Sequence, residues 1–213
     1  MSLALAMLLV ACASGPSARD LLERDWQAEG APLDHLEPVP TGWHDDAQKR
    51  LIRALILDRR VQLQMMKFPA FSRPWFVYVT RDDMLAFRRI TSRRSEPLRI
   101  ETNSVPITSE TVDALDGLWD AVLSDVKGPI DDDEIVVCTD GNIFEFAAPL
   151  SFGGLVARTT NCALPVRMKA LAAIGQRMAD LTHALPSKRA DLERRIREAA
   201  LELMKHFPSA VAN

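Results

Sequence analysis

The sequence predicts an α+β fold: an antiparallel sheet of about six or seven strands with helices packed on one face, and a helix pair at the C-terminus. Three observations predict it. Between residues 61 and 102 short runs enriched in β-branched and aromatic residues, several of them alternating, are separated by turn formers. From Ser109 an apolar stripe recurs at helical spacing. Strands and helices then come in separate blocks, not in the strict alternation that builds a parallel sheet.

In chain order, residues 13–42 carry Pro16, Pro32, Pro38 and Pro40 and read as a tether, with a short helix at Ala18 to Ala28. Ala47, Leu51, Ala54 and Leu55 mark one face of a helix from Asp45 to about Asp58. Strands are expected at Val61–Met65, Trp75–Thr80, Met84–Thr91 and Leu98–Thr102, with a tight turn at Arg81-Asp82-Asp83. Ser109 is placed to cap a helix whose buried stripe is Val112, Leu115, Leu118 or Trp119, and Val122, stopped by Gly128-Pro129. Asp140-Gly141 between the runs 134–139 and 142–147 has the composition of a type I′ hairpin turn, which needs positive φ at both central residues. Leu155–Thr160 is a further strand. Helices at Pro165–Ala184 and Ser187–Phe207, the second capped by Ser187, end the chain.

The first dozen residues carry an address. An apolar run from Leu3 to Val10 leads into Ala11-Cys12 and small residues, as a secretory signal does, and it is too short to span a bilayer as a helix. Leu9-Val10-Ala11-Cys12 resembles the lipobox of bacterial lipoproteins. That resemblance implies cleavage before Cys12, lipidation of its thiol, a membrane contact through the lipid and an envelope location facing the periplasm, with Ala13 favouring the outer membrane. No Lys or Arg precedes the run, which departs from the usual positive n-region. Plain secretion, with cleavage after Ala13 or Ala18, is the alternative. The resulting organisation is a signal at 1–11, lipidated Cys12 and tether at 12–42, and one globular domain at 43–213. Segments at 71–75, 118–120 and 136–141 with 144–146 are similar to uncharacterised proteobacterial envelope proteins, a resemblance that implies no activity.

Lipidation of Cys12 leaves Cys138 and Cys162, an even pair in an oxidising compartment. A disulfide between them closes a loop of 25 residues and restricts the unfolded chain by about 3.5 kcal/mol in the entropy model. A redox or metal pair is the sharper reading, but neither Cys-x-x-Cys nor a nearby His supports it.

A net charge of -3 and a pI near 5.8 give no general attraction to nucleic acid, and no nucleic-acid partner is expected. Local charge is uneven, with arginines concentrated between Arg81 and Arg99 and acids between Glu110 and Glu134, read as two solvated faces. His35, His44, His183 and His206 sit in no recognisable catalytic setting, and Gly-x-Ser-x-Gly, His-Glu-x-x-His and the P-loop are absent. No catalytic residue, cofactor or metal ligand is therefore assigned; Asp131-Asp132-Asp133-Glu134 lacks the alternate spacing of a calcium loop. Trp75, Tyr78, Arg88 and Arg93 form the candidate binding patch, weighed against a place in the core and rim of the sheet. Because neighbouring strand positions face opposite ways, only part of that set can share one surface. The expectation is a non-catalytic envelope module that binds a protein or envelope component, as an inhibitor, immunity factor or accessory subunit. A periplasmic hydrolase with a nonlocal site is the alternative, and a purely structural tether is the third reading.

Overall fold

Strand β3 (Trp75–Thr80) is buried at all six positions, so it lies inside a sheet covered on both faces. In the computed structural model, which describes residues 36–39, 49, 61–69, 72–92, 97, 99–126, 141–150, 153–160 and 166–207, β3 pairs with β2 (Val61–Pro69) and β4 (Met84–Ile90). The described elements, in chain order, are β1 (Glu37–Pro38), β2, β3, β4, β5 (Ile100–Pro106), α1 (Ser109–Ser124), β6 (Asn142–Leu150), β7 (Gly153–Thr160), α2 (Val166–His183) and α3 (Pro186–Met204). The chain is α+β, and every strand pair is antiparallel. Strands follow the order β1-β7-β6-β2-β3-β4-β5. Among the described residues the sheet has seven strands: β6-β2-β3-β4-β5 form its body, β7 extends it, and the two-residue β1 lies along β7.

Alternation along the strands divides the apolar residues into two clusters. Leu63, Met65, Val77, Val79, Leu85, Phe87 and Phe146 point to the face that carries α1, α2 and α3 and form the main core with them. Met66, Phe76, Tyr78, Ala86 and Ile90 form a smaller cluster on the opposite face. Helix α1 lies over β2, β6 and β7, α2 lies over β3, β4 and β5, and α3 packs across both helices. Accordingly α3 buries only Ile196, Ala200 and Leu203. Its outer ion pairs, Arg194 with Asp191 (2.6 Å) and Glu198 (2.9 Å), are exposed and contribute little.

Two contacts seat the helices. Trp119, fully buried on the expected stripe of α1, donates its indole N–H to the Gln64 carbonyl of β2 (3.0 Å) and meets Phe146 edge-on at 5.7 Å. Gly175 leaves room on α2 for the Met65 side chain of β2: a Cβ there would lie 2.1 Å from its Sδ, in a side chain with no exposed surface. At the end of α1, Asp125 is 3.7 Å from Arg167 of α2, whose guanidinium also donates to the His206 carbonyl (2.9 Å) and covers the Phe207 ring. The terminal turn after α3 is thereby tied to the other two helices.

The structure corrects several expectations. Both edges of β6 are occupied, residues 142–147 by β2 and 143–150 by β7, leaving no edge for the Asp140-Gly141 hairpin. Cys12, Cys138 and Cys162 lie outside the described residues. Strand β5 begins at Ile100 and runs to Pro106, because Val105 is buried in the main core while the polar residues before it tolerate an edge position. The expected tether contributes to the fold at its far end, where Leu36 is fully buried and Glu37 and Pro38 pair with β7. The helices at 18–28 and 45–58 lie outside the described residues apart from Lys49. The turn after β3 is present: Asp83 adopts φ 56° and its N–H bonds the Thr80 carbonyl at 3.1 Å.

Neither expected capping serine is the N-cap. Leu185 precedes α3, with Pro186 in its first turn and no side-chain cap bond. At α1 the N-cap is Thr108, and Glu193 of α3 accepts from the Thr108 N–H (2.6 Å), the Thr108 hydroxyl (2.7 Å) and the Thr111 hydroxyl (3.0 Å). In a capping box a glutamate three residues into the helix bonds the N-cap N–H; here a carboxylate from a different helix does so. Glu193→Ala is expected to lower the unfolding free energy by about 1–2 kcal/mol in urea titrations. Asp191→Ala, which removes only exposed ion pairs, should leave the urea midpoint essentially where it is in the parent.

Candidate functional site

A register shift at the start of β2 builds the site. Val61 pairs with Thr80 and Leu63 with Val79, so Gln62 is an extra residue in a β-bulge. A bulge turns its side chain away from the regular alternation, and Val61 and Leu63 consequently reach opposite clusters. Gln62 is turned toward α1, where it hydrogen-bonds Asp116. Arg81, the first residue of the turn after β3, and Asp120, one helical turn beyond Asp116, complete a polar cleft of about 420 Å³ together with Gln62, Asp116 and Ala148.

The electrostatics of this cleft are governed by Asp116. Burial pushes its carboxyl above the ordinary aspartate range, and the neighbouring Asp120 and Asp113 add to the shift; the hydrogen bond from Gln62 opposes it. Asp113, Asp116 and Asp120 share the face of α1 that turns away from the core, at spacings of three and four residues. A cation entering the cleft removes the repulsion among them, while Arg81 can hold an anionic neighbour of that cation. The described lining offers charge and hydrogen bonding from Gln62, Arg81, Asp116 and Asp120.

The candidate patch read from the sequence is divided between the two faces of the sheet. Trp75 points to the helix-bearing face, 9% exposed, against Phe87 at 5.7 Å, with the Lys67 ammonium 5.8 Å from its ring centre. Tyr78 points the other way, 5% exposed and stacked on Phe76 at 4.7 Å. Arg88 shares the face of Tyr78 and donates from Nε to the Thr102 hydroxyl (3.4 Å). Arg93 and the acidic run 131–134 lie outside the described residues, as do His35 and His44. Both rings are thus core and rim of the sheet; Tyr78 and Arg88 come together, and Trp75 does not join them.

A second constellation, which sequence reasoning missed, runs along the helix-bearing side of β4 and β5. Arg89 pairs with Glu101 (2.6 Å), Asn103 donates to Glu101 (3.2 Å), and the same amide lies 3.1 Å from Nδ1 of His183 at the end of α2. The Arg89 guanidinium holds the Glu101 carboxyl below the ordinary glutamate range, helped by Asn103 and His183 against a smaller effect of burial. The His183 ring sits edge-on to Phe87 at 4.8 Å, an aromatic contact that orients it. Only the i, i+2 spacing of Glu101 and Asn103 was visible in the sequence; His183 is brought to them by the packing of α2.

Asp116 binds its proton more tightly in the folded chain than in the unfolded one, so its ionisation opposes folding. Stability falls as pH rises from the ordinary aspartate range to the raised value and stays reduced above it. Asp116→Asn should therefore flatten that part of the curve of melting temperature against pH and leave the neutral-pH protein at least as stable as the parent; a lower melting temperature at neutral pH contradicts this. No protein-family model matches the chain, no curated protein matches its sequence and no solved structure matches its fold.

Proposed function

We propose that this chain is a lipid-anchored cell-envelope protein whose domain is a non-catalytic binding or accessory module, with the Gln62–Asp116 cleft as its ligand-facing site. The lipobox at Leu9 to Cys12 supports the anchor and the periplasmic location, with the outer membrane favoured by Ala13. The observation that carries the binding reading is the cleft itself, in which like-charged carboxylates are held close together and partly desolvated. Such a site gains most from a ligand that brings positive charge, since an opposite charge within a few ångströms favours the ionised acids. The ligand class is a lysine- or arginine-bearing segment of an envelope partner protein. In this compartment Cys138 and Cys162 bond to each other, a reading that rests on their even count once Cys12 is lipidated.

The alternative, a periplasmic hydrolase, draws on the exposed His183 and its Asn103–Glu101 support. One experiment separates the two. Full-length protein is cross-linked in its native envelope and captured, alongside Cys12→Ser, Asp116→Asn/Asp120→Asn and His183→Ala variants. Cys12→Ser should leave the membrane fraction, the double variant should lose a stoichiometric partner by about tenfold or more, and His183→Ala should retain it. Retention of Cys12→Ser in the membrane contradicts the anchor. Undiminished capture by the double variant contradicts the cleft as the binding site.

A further inference from the structure

We infer that β5 is a self-complementary edge through which two copies of this chain pair antiparallel, continuing the sheet from one copy into the other. The inference rests on the backbone of β5 and its neighbours, independently of the cleft.

The direction of each backbone group on β5 follows from its ladder with β4. The Thr91 N–H bonds the Arg99 carbonyl at 2.9 Å, and the Ile107 N–H bonds the Asp83 carbonyl at 3.0 Å. Both pairs continue the register in which Leu85 faces Val105 and Arg89 faces Glu101. In an antiparallel ladder the hydrogen-bonded pairs alternate. Glu101, Asn103 and Val105 therefore direct N–H and C=O toward β4, and Ile100, Thr102 and Ser104 direct theirs outward, where no described residue pairs with them. Pro106 has an outward carbonyl and no N–H. Thr102 and Ser104 are exposed.

One two-fold arrangement uses every one of these outward donors. With Thr102 opposite Thr102 of the second copy, Ile100 falls opposite Ser104, and each of these pairs exchanges two N–H···O=C bonds. Pro106, which cannot donate, falls at the end of the paired stretch. The side chains agree with this register. Thr faces Thr across the axis, a favourable cross-strand pair. On the helix-bearing face Glu101 falls opposite Asn103, an acceptor opposite a donor, and Val105 opposite Arg99. Charge repulsion, a usual guard of sheet edges, is weak here because Arg89 already neutralises Glu101 at 2.6 Å. Among the described residues β7 carries β1 along Ala157 and Arg158, whereas β5 carries no further strand. A single strand pair buries less than a standard interface of about 1,200–2,000 Å², so the dimer is weak in dilute solution and forms where copies are concentrated.

The test is a cysteine at the axis. The Cα atoms of a hydrogen-bonded antiparallel pair lie about 5.5 Å apart, within the range a disulfide spans. Full-length Thr102→Cys, treated with copper-phenanthroline, should give a dimer on non-reducing gels whose mapped linkage joins position 102 to position 102. Asp113→Cys, on α1 away from this edge, should not. Adding Ser104→Pro removes one donor from each copy at the interface while sparing the ladder to β4, because the Ser104 N–H points outward; it should lower the yield by about tenfold or more. Ser104→Arg, which places a charge opposite Ile100, should lower it too. Absence of a 102–102 linkage overturns the inference, as does a yield that neither Ser104 substitution changes.

Discussion

The hydrogen bond from Trp119 to the Gln64 carbonyl fixes where α1 lies on the sheet, and most of the architecture follows from that placement. Full burial of the Trp119 ring against Phe146 supplies the apolar part of the contact. The indole N–H supplies direction, because a buried donor must find an acceptor and only the right height and rotation of α1 brings it to this carbonyl. Once α1 is seated, its N-terminus meets Glu193 and its C-terminal Asp125 meets Arg167, so α2 and α3 are positioned by the same helix.

That placement also creates the cleft. Asp116 lies one turn before Trp119 and Asp120 is the next residue, while Gln62 lies two residues before the carbonyl that Trp119 holds. The bulge at Gln62 turns its side chain toward the helix, and the anchor brings the helix to it. Packing thus shapes the electrostatics of the cleft: the desolvation that raises the Asp116 carboxyl exists because α1 is held against the sheet.

Local pattern made much of the fold legible. Alternation located β3 and β4 almost to the residue, and the Val112-to-Val122 stripe matches the buried face of α1. The failures came where a partner distant in sequence outcompeted a local signal. Asp140-Gly141 has the composition of a hairpin turn, but β2 and β7 occupy both edges of β6. Ser109 is a sound capping residue, but Thr108 takes the position because Glu193 satisfies its N–H. Strand β5 is expected too early in the sequence because Asn103 and Ser104 look like loop residues, whereas Val105 beyond them is buried in the main core. The cleft stayed hidden because Asp113, Asp116 and Asp120 have the spacing of any solvated helix face; the Gln62 bulge and the turn at Arg81 give them a site, and neither has a composition that announces it.

The sheet is asymmetric in a way that bears on its surroundings. Its β7 end carries β1, contributed by the segment that leads in from the N-terminus, whereas its β5 end presents unpaired backbone groups among the described residues. The cleft lies between these ends, beside the β3–β4 turn and away from the β5 edge, so occupation of one does not block the other. The dependence of the cleft on the Trp119 anchor can be measured directly by following the side-chain carboxyl of Asp116 by carbon-13 NMR in the parent chain and in Trp119→Phe. Asp116 is expected to titrate above the ordinary aspartate value of about 3.9 in the parent and to return toward it in the variant, where an aromatic ring is kept and the directional bond is lost. An ordinary titration in the parent, or the same raised value in both proteins, would contradict this dependence.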